Sequence, residues 1–231
     1  MMSLWNDFIA LIYPRNCITC NNSLFKHEEM ICNHCYVTLP RSDFHKEENN
    51  ELERVFAGRV PIVKAGAYYI FEKSGKVQKI LHNIKYKKNK QLAEQLGIWY
   101  AQSLKEFKEV TEADVIIPVP LHPKKQKQRG FNQSEAFAKG LGKEFNLQVN
   151  STNLTRSKYT ETQTRKNKFA RWENVEGKFE LKDPQSLRGK KILLVDDVIT
   201  TGATIDACYE ALKKAEGIKI SVLSLAYAKK D

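Results

Sequence analysis

Residues 192–204, ILLVDDVITTGAT, constrain this chain more tightly than any other stretch. Four apolar residues run into Asp196 and Asp197, and a Thr-Thr-Gly-x-Thr turn begins at Thr200. The apolar run reads as a buried strand, and ligands of open α/β sheets collect at the carboxyl ends of such strands. Carboxylates placed there can accept hydrogen bonds from the hydroxyls of a sugar. Thr200, Thr201 and Thr204 add hydroxyls of their own, and Gly202 lets backbone amides come close to an anion. A helix starting just beyond would turn its free N–H groups and positive dipole end on the same point. Each residue alone fits an ordinary strand, acidic turn and helix cap; in this order they suit a sugar phosphate. No Gly-x4-Gly-Lys-Ser/Thr string occurs, which excludes a P-loop.

A chain of 231 residues, 42% of them hydrophobic, fits one sizeable domain with at most a small appendage. The formal net charge of +11 suits polyanionic company such as nucleotides, pyrophosphate or nucleic acid. The appendage is legible in the first fifty residues. Cys17-Ile-Thr-Cys20 and Cys32-Asn-His-Cys35 are two C-x2-C knuckles separated by eleven residues, the pattern of a four-sulfur Zn²⁺ site. Disulfides are the rival in an oxidising compartment, and a redox pair would need only one knuckle. Bound as four thiolates, one Zn²⁺ removes four charges and returns two, leaving a basic chain of +9. A zinc held by Cys17, Cys20, Cys32 and Cys35 has no open position for water, so its expected role is structural. His27 and His34 read as surface residues and Cys208 as a small buried one. Whether this module docks on DNA, on a protein or on its own chain stays open.

Residues 1–17, MMSLWNDFIALIYPRNC, carry Leu4, Trp5, Phe8, Ile9, Leu11 and Ile12 at amphipathic spacing, ended by Pro14. The expectation is a short helix packed on the protein itself, with a membrane or partner contact as the alternative. The segment has no basic start or small-residue cleavage site, and no stretch reaches the roughly 20 apolar residues of a membrane span. The expected compartment is a reducing cytoplasm, or its membrane face if the helix binds there.

Residues 36–60 are charge-rich, and HKEENNELER reads as a linker or exposed helix. Residues 63–71, VKAGAYYIF, have strand composition. Val77, Ile80, Leu81 and Ile84, then Leu92, Leu96 and Trp99, recur at helical spacing. The lysines of 85–90 between them read individually as solvated, and as a cluster beside Tyr86 as a contact for pyrophosphate or a nucleic-acid backbone. DVIIPVP, residues 114–120, is a second apolar strand, followed by a basic loop with His122, Lys124, Lys125, Lys127 and Arg129. A helix over 133–145 comes next. Residues 157–179 form a polar segment with Thr160, Thr162, Gln163, Arg165 and Arg171; the closing elements are a helix to about 215 and a strand over 220–227.

The segment 192–204 resembles the phosphoribosyl-pyrophosphate (PRPP) signature of type I phosphoribosyltransferases. With the two knuckles, ILHNIKY, PVPLHPKKQKQRGFNQS, the T-x2-Q stretch at 160–163 and ARWENVEGKF, nearly the whole chain is similar to the ComF (ComFC) competence family. The resemblance implies a type I phosphoribosyltransferase-like parallel sheet flanked by helices over residues 51–231, behind an N-terminal helix and zinc module over residues 1–50. It implies a PRPP·Mg²⁺ ligand, a hood closing over it, and a role in natural transformation and DNA uptake beside a DNA-translocation machinery. On that pattern Asp196 and Asp197 would hold the ribose hydroxyls and influence Mg²⁺. Thr200, Thr201, Gly202, Ala203 and Thr204 would take the 5-phosphate. Pro118, Val119 and Pro120 with Arg129 would face pyrophosphate, and Arg156 and Gln163 would belong to the hood. Asp196, Asp197 and Arg129 are the expected catalytic set; His122 fits simple hydrogen bonding better than base catalysis. The acceptor is not readable. The competing expectation is a non-catalytic module that binds single-stranded DNA, regulated by PRPP or a nucleotide, with Tyr86, Phe131, Tyr159, Phe169 and Trp172 set among basic residues.

Overall fold

The structure, a computed structural model, describes residues 14–156 and 179–229. In chain order these hold α1 (Asn33–Thr38), α2 (Glu51–Phe56), β1 (Ile62–Phe71), α3 (Lys76–Tyr86), α4 (Lys90–Ser103), β2 (Val115–Pro118), α5 (Pro123–Arg129) and α6 (Gln133–Phe145). They continue with β3 (Leu154–Arg156), β4 (Phe179–Leu181), β5 (Lys191–Ile199), α7 (Ala203–Leu212) and β6 (Lys219–Ala228). The N-terminal helix expected before Pro14, and Tyr159, Thr160, Thr162, Gln163, Arg165, Phe169, Arg171 and Trp172, lie outside the described residues.

β1, β6, β5 and β2 form one parallel sheet in that order, with β5 in the interior as its continuous apolar run requires. Side chains alternate across it. Leu193 and Val195 enter a core with Ile80 and Ile84 of α3, Leu92 and Leu96 of α4, and Phe137 and Leu141 of α6. Ile192 and Leu194 enter a second core with Leu52 and Phe56 of α2 and Ile205, Cys208 and Leu212 of α7. Helices therefore cover both faces, and Cys208 is buried as expected. β3 and β4 make a separate antiparallel pair packed against α7.

Two expectations are corrected. Of the two readings of residues 45–54, linker or exposed helix, a helix does form from Glu51, but it is not an exposed one. Asn50 caps α2 through a reciprocal pair of bonds with Glu53, and Leu52 and Phe56 are fully buried, so polar flanks concealed two core anchors. The basic stretch after β2 is also not a loop but α5. His122 Nδ1 accepts the Lys124 amide at 3.2 Å, Pro123 occupies the first turn, and Gly130 closes the helix at φ 83°.

The cysteine module is welded to the main body. Cys17, Ile31, Cys32, Cys35 and Leu39 share the core that holds Ile80 and Leu96. Tyr36 meets Trp99 edge-on at 4.9 Å, and the Arg41 guanidinium lies 4.7 Å from the Tyr36 ring centre. Lys79 of α3 donates to the Thr19 carbonyl at 2.8 Å. Among the alternatives left open, contact with its own chain is what the structure contains.

Candidate functional site at the carboxyl end of the sheet

β5 carries Asp196 and Asp197 past the last paired residue of β2, since Pro118 pairs with Val195. Asp196 is buried, at 7% exposure, with its Oδ1 accepting the Ser134 hydroxyl at 3.0 Å and the Asp197 amide at 2.8 Å. Burial first, then the Asp197 charge, push the Asp196 carboxyl up to about 7; the Asp197 amide, Ser134 and Lys85 oppose that shift. Asp197 pairs with Lys85, Nζ to Oδ2 at 2.9 Å, with both side chains four-fifths covered. Lys85 is thus not the solvated helix-end lysine expected when the residues are read one by one.

Ser134 is placed by a second relay. Asn132 caps α6 by accepting the Ser134 amide at 3.1 Å, and its amide nitrogen donates to the Val119 carbonyl at 3.0 Å. The Val119 amide in turn donates to Val195 at 2.8 Å. The turn at Pro118, Val119 and Pro120, the start of α6 and the acidic pair therefore form one hydrogen-bonded unit. α6 itself is seated on α4 at very close range: a Cβ on Gly97 would strike the Phe137 carbonyl, and one on Gly140 the Glu94 carbonyl. Arg129 donates to Gln133 at 2.7 Å, beside Ser134.

On the far side of Asp197 the chain turns through Thr200, Thr201 and Gly202 into α7. Thr200, Thr201, Ala203 and Thr204 are exposed around buried Gly202. Gly202 sits at φ 77°, and a Cβ there would lie 2.6 Å from Phe56 and 3.1 Å from Val55, so both conformation and space demand glycine. Arg59, just beyond α2, braces this turn. Its guanidinium bonds the Val55 carbonyl and the Asp206 carboxylate and donates to the Thr201 carbonyl at 3.1 Å. The first amides of α7 have no intrahelical acceptor, as at any helix start, and no side chain caps them, an arrangement that can receive an anion.

Arg156 ends β3, its guanidinium 5.1 Å from the Phe179 ring centre. Gln163 lies outside the described residues. The expected site residues on β5, its following turn, the β2 turn and α5 are thus gathered at one end of the sheet. Ser134, Asn132 and Arg59 are the contributors that sequence reading did not name, and Lys85 was read only as one of a lysine cluster. Of these, Asn132 had a local signal, a cap residue directly before an apolar-periodic helix.

The cysteine sulfurs form a second, separate centre. Their four Sγ atoms lie within 4.8 Å of one another, and Cys20 and Cys32 stand 3.7 Å apart. Four sulfurs at about 2.3 Å from one ion are separated by roughly 3.8 Å, so this donor set fits a tetrahedral Zn²⁺. The Cys32 amide donates to Cys17 Sγ at 3.3 Å and the Cys35 amide to Cys32 Sγ at 3.5 Å, which favours thiolates. Among the described residues no helix is long and apolar enough to cross a membrane.

The phosphoribosyl transferase domain family matches residues 130–231. The chain is similar to DNA utilization protein YhgH of Escherichia coli O157:H7, 28% identical over 149 residues, 63% of this chain and 65% of that protein. Competence protein F of Haemophilus influenzae is 33% identical over 116 residues, covering 50% of this chain and 51% of its own length. Competence protein ComFC of Streptococcus pneumoniae is 31% identical over 125 residues, 54% of this chain and 51% of that protein. The chain spans 65% of the first relative and about half of the two competence proteins. With its parallel sheet flanked by helices and its four-cysteine cluster, the chain is similar over its C-terminal part to the phosphoribosyl transferase domain family, and over about half its length to the competence proteins F and ComFC.

Proposed function

We propose that the chain binds PRPP at the carboxyl end of β5 and, with an acceptor present, transfers its phosphoribosyl group with release of pyrophosphate. The observation that carries this reading is the placement of an acidic pair between two anion-favouring walls. The turn at 200–204 and the start of α7 lie on one face of the sheet. Arg129, beside Phe131 and the start of α6, lies toward the other. A sugar phosphorylated at one end and pyrophosphorylated at the other matches that order, whereas a simple phosphate would leave one wall unused.

Asp196 and Asp197 suit the ribose hydroxyls, and the repulsion evident in the raised Asp196 carboxyl is relieved by hydroxyl donors or a hard cation. Mg²⁺ bound with PRPP would neutralise pyrophosphate oxygens as they leave. The transfer breaks the bond between ribose C1 and pyrophosphate and forms one to the acceptor, whose proton is lost to solvent or a base. The chain's own residues then have three tasks: holding the ribose, countering charge on the leaving group and keeping water away. Arg129, with a forked guanidinium, suits the second task better than the exposed lysines. Arg156 and Gln163 would serve the third as hood residues.

Calorimetry with PRPP and Mg²⁺ tests the binding claim: an Asp196→Asn, Asp197→Asn double variant with unchanged affinity would sink it. A screen for pyrophosphate release against nucleobases, amines and oligonucleotides tests turnover and names the acceptor class.

A second reading, a single-stranded DNA surface serving DNA uptake, has its own observation. Lys88 packs against Gly130, where a Cβ would stand 3.6 Å from its Cδ, so the lysine runs of 85–90 and 124–129 become neighbours. Tyr86 is 64% exposed beside them, its ring centre 4.8 Å from that of His82. Exposed aromatics among cations suit stacked bases and a tracked backbone. An oligonucleotide should bind with a steep salt dependence; no binding at low salt removes this reading and leaves the PRPP site standing.

A further inference from the structure

We propose that Lys85 is an exchange residue of this site: Asp197 holds it in the free protein, and ligand binding transfers it to pyrophosphate. The inference rests on the PRPP reading and assigns a specific role to one lysine of the 85–90 cluster.

Lys85 lies in the last turn of α3, whose buried face (Val77, Ile80, Leu81 and Ile84) fixes the helix on the sheet. From there its ammonium reaches Asp197 Oδ2 at 2.9 Å and also opposes the charging penalty of Asp196. It is therefore the cation that offsets the acidic pair when no ligand does. Ribose hydroxyls occupying the carboxylates compete for the same oxygens. An ammonium that loses its partner in a site four-fifths covered needs another anion, because an unpaired charge there is costly.

The surroundings decide where that anion sits. α3 and α6 pack on one face of the sheet, and α7, which carries the candidate phosphate turn, packs on the other. Lys88, three residues on from Lys85 and just past the end of α3, rests against Gly130, next to Arg129. A released Lys85 thus joins Arg129 and Lys88 on the wall away from the 5-phosphate turn. Only a ligand with anionic groups at both ends of its sugar can use it, so Lys85 selects PRPP over ribose 5-phosphate. The flexible four-carbon stem of lysine suits the swap better than a rigid fork.

Calorimetry on the full chain with Mg²⁺ reads this selectivity. Lys85→Met should weaken PRPP by about tenfold or more, the worth of one charge-assisted hydrogen bond. Ribose 5-phosphate should bind as before or tighter, since no cation has to be displaced. Lys85→Arg should keep most of the PRPP affinity. Parallel losses for both ligands in Lys85→Met, or no loss for either, overturn the exchange role alone. A wild-type protein that binds neither ligand overturns the PRPP reading as well. Should Lys85→Met not fold, Asp197→Asn decides: with the ammonium already free, inorganic pyrophosphate should bind more tightly than to wild type. That gain should disappear in the Lys85→Met, Asp197→Asn double variant; a gain that survives overturns the proposal.

Discussion

Ser134 donates its hydroxyl to Asp196 Oδ1 at 3.0 Å and so ties the start of α6 to the carboxyl end of β5, 62 positions away in the chain. The bond supports a carboxyl that is charged only at a cost. Folded Asp196 titrates near 7, against 3.8 for the ordinary group, so between those values the folded chain holds a proton that the unfolded chain has lost. Its contribution to stability is full below about 3.8 and is lost as pH rises to about 7. Asp196→Asn should therefore flatten this part of the stability profile and gain stability at pH 8. Urea midpoints taken from pH 4 to pH 8 check it, and an unchanged slope would contradict the assignment.

Ser134→Ala removes a donor from a buried carboxylate. Stability at pH 8 should fall by about 1–3 kcal/mol, the cost of leaving such a group short of a partner. The Asp196 carboxyl should move further up, so the variant loses less at pH 4 than at pH 8. Equal losses at both values would assign Ser134 to packing alone.

Gly202 and Gly189 separate conformation from space. Both have positive φ, 77° and 70°, but nothing lies within 4 Å of a Cβ built on Gly189. Gly189→Ala should cost about 1–2 kcal/mol, the penalty of the left-handed region. Gly202→Ala must also push Phe56 or the turn aside. It should cost more and weaken ribose 5-phosphate binding, which Gly189→Ala should leave alone. Thermal melting and calorimetry on the two variants provide the comparison; equal effects on binding would remove the turn from the site.

What the sequence revealed of this site follows the range of the interactions involved. β5 and α6 were legible because an apolar run and a helical period are local signals, and the helix expected at 133–145 matches α6. The two knuckles were legible because metal ligation imposes short, regular spacing. α5 was misread as a loop because its lysines carry no periodicity, although His122, Pro123 and Gly130 mark its ends. The pairing of Lys85 with Asp197 and the whole role of Arg59 were beyond reach for a different reason. Their meaning lies in partners 112 and 142 or more positions away, Asp197 for one and the 201–206 turn for the other, and no local pattern encodes such a pairing.

The cysteine centre should report on α4 through the contact of Tyr36 with Trp99. Withdrawal of Zn²⁺ by a strong chelator should change tryptophan emission, and Trp99→Phe should abolish most of that change. Cys35→Ser should lower Tm by roughly 10 °C, the shift that about 3–5 kcal/mol produces in a chain of this size. One zinc per chain by elemental analysis is the accompanying expectation. Full zinc loss with an unaltered Tm would show that the module folds without the ion.

Arg59 bonds the Val55 carbonyl, the Thr201 carbonyl and the Asp206 carboxylate with one guanidinium. Burial pushes the Asp206 carboxyl up, and Arg59 is the cation that opposes this. Three acceptors in different directions require a planar fork, which a lysine ammonium cannot reproduce. Arg59→Ala should therefore loosen the turn at 200–202 and weaken ribose 5-phosphate binding by about tenfold, one charge-assisted hydrogen bond's worth of order. Arg59→Lys should recover little of that loss, although it restores the charge. Calorimetry with ribose 5-phosphate compares the three proteins. If Arg59→Lys binds like the wild type, the positive charge beside α7 is what matters, and the bracing of Thr201 is incidental.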